Sequence, residues 1–155
     1  MQLDTNSLPN IANLRRRSQA LAMLDAVVCP DWESRYYSFK ARWSENESVG
    51  SMRNGCGDDW FIQFSPVGVA IKGLAHETLI AADDAFAREV QMQVPQTFSS
   101  FLNEPAFGMD CLSYCYWRRS EDQNWHKVIH PDQALSQSDD GSTEYLALQI
   151  GRAHV

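Results

Sequence analysis

The sequence predicts an α+β fold: a mostly antiparallel sheet of five to six strands, with an N-terminal helix and one or two further helices on one side. Three observations predict it. From about residue 34 onward, segments alternate apolar and polar residues with the period of two that belongs to strands. The links between them are short and rich in turn residues: Ser44-Glu-Asn-Glu, Arg53-Asn-Gly-Cys-Gly-Asp-Asp and Ser65-Pro-Val-Gly. Short links favour antiparallel neighbours, because a parallel pair needs a long crossover. Ahead of the strands, Ile11, Leu14, Leu21, Leu24 and Val28 recur at helical spacing and make one apolar stripe.

Taken in order, residues 7–28 form the first helix, with Ser7 as cap, Pro9 in the first turn and Pro30 just past the end. Its consecutive Arg15, Arg16 and Arg17 spread around the helix and read as solvated surface, not an anion site. Residues 34–43 alternate strongly and form a strand with a mixed face. Further strands are expected over 49–52, 59–64 and 69–74. Residues 82–90 have helical composition but a weak stripe. Residues 95–104 make a short helix, with Pro95 in its first turn and Phe98, Phe101 and Leu102 inward. Aromatic alternation gives a fifth strand over 111–118, and 125–129 can be a sixth, ended by Pro131. Residues 133–141 read as a polar loop, and Ser142 opens a last helix with an acidic first turn.

With 155 residues, the chain has the length of one domain, and residues 1–155 are read as such. Hydrophobic residues make up 44% and charged residues 21%, as in a globular protein and not a disordered one. The formal charge of −7 argues against nucleic acid, whose phosphates draw on clustered Lys and Arg. It fits a basic protein partner or plain solubility equally well. The opening Met1-Gln-Leu-Asp-Thr-Asn has neither the basic nor the apolar region of a secretory signal, and no apolar run reaches the ~18–20 residues that cross a bilayer. Cys29, Cys56, Cys111 and Cys115 are too few and scattered for a disulfide scaffold. A reduced cytoplasmic protein is expected. The closing Ile150-Gly-Arg-Ala-His-Val155 is also what a common sequencing adapter encodes, and the adapter's preceding bases complete the Gln149 codon in frame. Residues 150–155 are therefore expected to be read-through, and His154 to carry no role.

Several patterns could carry chemistry. Cys111, Cys115, His126 and His130 approach a zinc spacing, but two cysteines four residues apart on a strand sit about 13 Å apart, too far to share an ion. Gly55-Cys-Gly-Asp-Asp lacks the helix of a phosphate loop and reads as a tight turn. Neither a metal nor a cofactor is expected. Asp58 and Asp59, as strand neighbours, point to opposite faces and do not form an acid/base pair. His76 and Glu77 follow a strand and could do general-base work or meet a partner; the alternative is a helix-entry cap with a satisfied histidine. Trp32, Trp43, Trp60, Trp117 and Trp125, with Tyr36, Tyr37, Tyr114 and Tyr116, concentrate on the expected strands. Helices on one side cannot hide rings on both faces, so some should form an interaction surface, unless the 75–105 segment covers the second face.

The blocks Trp32-Glu-Ser-Arg-Tyr-Tyr-Ser-Phe, Ser51-Met-Arg-Asn-Gly-Cys-Gly-Asp-Asp-Trp-Phe, Ile71-Lys-Gly-Leu-Ala-His-Glu, Glu104-Pro-Ala-Phe and Tyr116-Trp-Arg resemble a family of small bacterial proteins without an assigned activity. The likeness spans residues 21–148. In size, acidity and aromatic sheet the chain is also similar in general character to immunity proteins of bacterial toxin systems, an analogy of class. The resemblance nominates Asp58, Trp60, Lys72, His76, Glu77 and Trp117, and Asp59 joins them, as partner-binding residues. The expected function is a non-enzymatic, cytoplasmic protein-binding domain of immunity type. The alternatives are a small hydrolase using His76 and Glu77, and a homo-oligomeric scaffold subunit paired through a sheet edge.

Overall fold

The computed structural model describes residues 4–151. Its centre is one six-stranded antiparallel sheet whose strands lie side by side in chain order. They are β1 (Tyr37–Ser44), β2 (Glu47–Arg53), β3 (Asp59–Ser65), β4 (Gly68–Leu74), β5 (Tyr114–Arg119) and β6 (His126–Lys127). The α+β class and the antiparallel order are as the sequence predicts. The sixth strand is shorter than expected, because the chain after Lys127 turns to bond with Gln93 through the N–H and C=O of Ile129.

Strands β1–β5 split their side chains between two cores. On one face Met52, Trp60, Ile62, Phe64, Ile71, Tyr114 and Tyr116 meet Leu14 of α1 (Ile11–Val28) and Leu146 and Ile150 of a π-wound helix, Thr143–Gly151. On the other face Val49, Ala70 and Cys115 meet Phe86 and Val90 of α2 (Asp84–Gln93) and Phe101 and Leu102 of α3 (Ser99–Leu102). Helices therefore cover both faces and not one. The physical reason is the aromatic content: rings of both parities along the strands need burial on both sides. The 75–105 segment supplies the second layer.

Local differences have local causes. Asn10, not Ser7, caps α1; its Oδ1 accepts from Asn13 N at 2.8 Å. The 95–104 helix divides into a 3-10 turn, Gln96–Phe98, and α3, with Phe98, Phe101 and Leu102 buried as expected. The polar 133–141 stretch holds one helical turn, α4 (Gln133–Ser136), because Asp132 accepts from the N–H groups of Ala134 and Leu135. Arg15 and Arg17 diverge from the helix, one donating to Ser48 Oγ and the other to the C=O of Ile150, each at 2.8 Å. Gly73 is fixed by a close approach: a Cβ there would sit 1.8 Å from Cζ of Tyr114. No described helix is long and apolar enough to cross a membrane. Ile150 is buried, whereas His154, with residues 152–155, lies outside the described residues.

Candidate functional site

The nominated residues fall into separate places. At one end of the sheet, the turn before β3 and the loop after β4 come together. The turn needs positive φ at Gly55 (+77°) and Gly57 (+106°), as the sequence predicts for a tight turn. At Gly57 a side chain would also crowd the His76 ring, 3.3 Å away. Asp58 is buried there and accepts from His76 N at 3.0 Å and from Asn54 Nδ2 at 2.8 Å. His76 Nδ1 lies 2.6 Å from Asp58 Oδ1. An ionised carboxylate only accepts, so the ring proton sits on Nδ1 and Nε2 points outward. Burial pushes the Asp58 carboxyl up, but hydrogen bonds from His76, Asn54 and Tyr145 outweigh it and hold the group below the usual carboxylate range. Burial and the Asp58 charge push the Tyr145 hydroxyl up to about 12.

The partner of His76 is thus Asp58, and Glu77 is the outer contact. Glu77 Oε1 is 3.8 Å from Nε2 on a side chain 89% exposed. Sequence neighbours on a loop diverge, whereas the antiparallel β3–β4 pairing brings the residues flanking the two strands together.

Asp59 and Lys72 occupy the opposite face of the same strands, as the alternation requires. Lys72 Nζ bonds Asp59 Oδ1 at 2.9 Å, with the lysine side chain 1% exposed. Burial raises the Asp59 carboxyl in spite of the ammonium beside it. Lys72 is enclosed and offers a partner nothing, whereas the Asp59 side chain is 26% exposed. Trp60 is enclosed too, 1% exposed in the core with its Nε1 donating to Gln149 Oε1 at 3.1 Å. Trp117 is half-buried, stacked on His126 at 4.0 Å and touching Phe98. The seven residues do not form one surface.

The zinc-like spacing is dispersed as well. Cys115 faces the second core, Cys111 is exposed outside the strand, His126 lies on Trp117 and His130 bonds Asp83 Oδ2 at 3.0 Å. All four cysteines are unpaired.

The exposed rings and large aliphatics gather elsewhere. Along the last turns of α1 and the segment after it, Met23 (71%), Leu24 (63%), Val27 (76%), Val28 (74%), Trp32 (55%) and Tyr36 (51%) face solvent. Leu24 and Val28 belong to the stripe expected to be buried. The sheet meets only one side of α1, and buried contact is limited to Leu14 and Ser18, with Ile11 and Leu21 half-covered. A signal for this was present: from residue 21 to 28 the helix is apolar nearly all round, more than one sheet face can cover.

Beside this strip runs a groove of about 940 Å³, lined among others by Ala22, Met23, Trp32, Phe39, Lys40 and Trp43. Its charged lining residues are Arg35, Lys40 and Arg53; none of the lining residues is acidic. Arg53 lies over the Trp32 ring at 4.7 Å and Lys40 over Trp43 at 5.6 Å. His76 lines neither this groove nor the small cavity beside His130. Against protein-family models, curated proteins and solved structures, the chain finds no match. Function is accordingly argued from the site alone.

Proposed function

We propose that this chain is a non-catalytic protein-binding domain, acting in the cytoplasm as an immunity-type cover for a toxin. The observation that carries the reading is the strip Met23, Leu24, Val27, Val28, Trp32 and Tyr36, all within residues 23–36 and open to water. An apolar surface of this kind is costly to leave bare and marks a docking face. Covering one such side chain contributes about 1.5–3 kcal/mol, and a buried tryptophan is a typical anchor. Four unpaired cysteines suit a reducing compartment. The test is co-expression with each product of the genes flanking this one, followed by co-purification. A stable complex lost on Trp32→Ala supports the reading. No complex with any flanking product, or one indifferent to Trp32→Ala, overturns it.

A second reading, a small hydrolase, draws on the 2.6 Å Asp58–His76 pair, which has the base–orienter arrangement of general-base catalysis. Against it, Asp58 also holds Asn54 and the His76 main chain, and His76 lines neither cavity, so the pair acts as a clasp between two loops. Ester hydrolysis abolished by His76→Ala would revive it.

A further inference from the structure

We infer that the free edge of β1 takes an extended peptide segment whose residues alternate between acidic and apolar, added to the sheet as a further strand. This rests on the protein-binding reading and names the mode and chemistry of the contact. The first observation is position. β1 is the outermost strand, so one of its two edges has no neighbour in the sheet among the described residues. Arg53 N donates to Tyr36 O at 2.9 Å, which sets Tyr36 and Arg53 at a hydrogen-bonding position of the ladder, with Tyr36 N itself given to Asp25 Oδ2 at 2.6 Å. In an antiparallel ladder the pairs alternate, so Ser38 and Lys40 point their backbone groups at β2, while Tyr37 and Phe39 point theirs outward. Tyr37 N is taken by Asp25 Oδ2 at 2.8 Å. The Tyr37 C=O and the Phe39 N–H and C=O remain turned to the edge.

The second observation is the groove. Its lining includes β1 residues of both parities, Tyr37 and Phe39 as well as Ser38 and Lys40, so it reaches both sides of the edge. A strand laid there would send alternate side chains to the two sides. On the α1 side they meet Ala22, Met23 and Phe39; on the other they meet Lys40 and Arg53, set beside Trp43 and Phe61. The first set selects apolar residues, and the two cations of the second favour carboxylates.

The third observation disfavours a second copy. Pairing β1 with another β1 about residues 40–42 would set Lys40 and Arg42 against their own kind, and like charges opposed across strands are unfavourable. Lysine, arginine and the register shift after Lys40 are also the means by which edges resist indiscriminate pairing. They leave an acidic strand as the segment that fits. Overall charge suggests a basic partner; at this face the local charge reverses that preference.

The probe is a nine-residue, fluorescein-labelled peptide alternating glutamate and leucine, titrated by anisotropy into the full chain. Amide hydrogen exchange is followed at Phe39. Two further peptides replace glutamate by lysine, or carry N-methyl groups on alternate residues in either phase. The expected result is binding of the glutamate peptide, at least about tenfold weaker binding of the lysine peptide and of one N-methyl phase, and slowed exchange at Phe39. Lys40→Glu with Arg53→Glu should transfer the preference to the lysine peptide. Absence of binding, equal binding of both N-methyl phases, or a dimer that protects Phe39 without peptide overturns the inference. If a flanking gene product still binds in a Trp32-dependent way, only the edge assignment fails. If that binding is absent too, the protein-binding reading fails with it.

Discussion

Replacing Val27 and Val28 together by glutamine separates docking from folding. The two side chains are 76% and 74% exposed, so about a quarter of each is withdrawn from water. Full burial of a valine is worth about 1.5–3 kcal/mol, so what each contributes to folding is about 0.4–0.8 kcal/mol. Glutamine keeps part of that aliphatic contact and exceeds valine in helix propensity by a few tenths of a kcal/mol per residue. The two effects nearly cancel, and the double variant should match the parent in stability to within about 0.5 kcal/mol. Urea denaturation measures this through the midpoint at unchanged slope. Val90→Gln is the contrast: Val90 is 0% exposed in the second core and the substitution should cost about 3 kcal/mol or more. Binding should respond the other way, with affinity for the flanking gene product falling by about 2 kcal/mol, roughly 30-fold, in the surface variant. A loss of more than about 1.5 kcal/mol of stability on Val27→Gln with Val28→Gln would show that these residues are already packed, and the docking argument would fall.

Other consequences follow from the sheet end and the cores. The Asp58 carboxyl is held below its ordinary value, so its contribution to stability is present above the unfolded-state pKa of about 3.9 and is lost as pH falls through the lower folded value. Urea midpoints measured down to pH 2 should show Asp58→Asn with less acid-limb loss than the parent; an unchanged acid limb would contradict the clasp. Asp59→Asn leaves the Lys72 ammonium enclosed without its counter-charge and should cost about 3 kcal/mol, whereas Lys72→Met should cost less. Equal losses in the two denaturation series would count against an ion pair whose charge must be matched. The Tyr114 hydroxyl is buried and has no hydrogen-bond partner among the described residues, so Tyr114→Phe should leave stability unchanged or raise it by up to about 1 kcal/mol in thermal melts.

The sheet was legible because its signals are local and mutually consistent. Alternation from Tyr37 to Trp43, the Gly55 and Gly57 turn and the Pro-Val-Gly turn before Val69 each fix a strand or its end, and chain order then follows from short links. What was not legible is which face each helix takes. The segments 82–90 and 95–104 carry no residue that says so, and only the ring count hinted that two layers were needed. The geometry of the sheet end depends on long-range pairing in the same way. His76 and Glu77 are neighbours in sequence, but the partner of the imidazole is Asp58, eighteen residues earlier, brought near by strand pairing. Trp60 enters the candidate set through the resemblance alone, whereas its parity with Ile62 and Phe64 places it inward. Leu24 and Val28 share the helical spacing of a buried stripe, but residues 21–28 are apolar nearly all round, more than one sheet face can cover.

Two exposed methionines make the decisive comparison. Met23, 71% exposed, lies in the strip with Trp32, and Met92, 69% exposed, lies on α2 across the sheet. Hydroxyl-radical footprinting of the chain alone and in complex with its flanking gene product reads all three by mass spectrometry. Docking through the strip predicts that Met23 and Trp32 lose reactivity in the complex while Met92 keeps it. Protection of Met92 with Met23 and Trp32 unchanged would contradict the account.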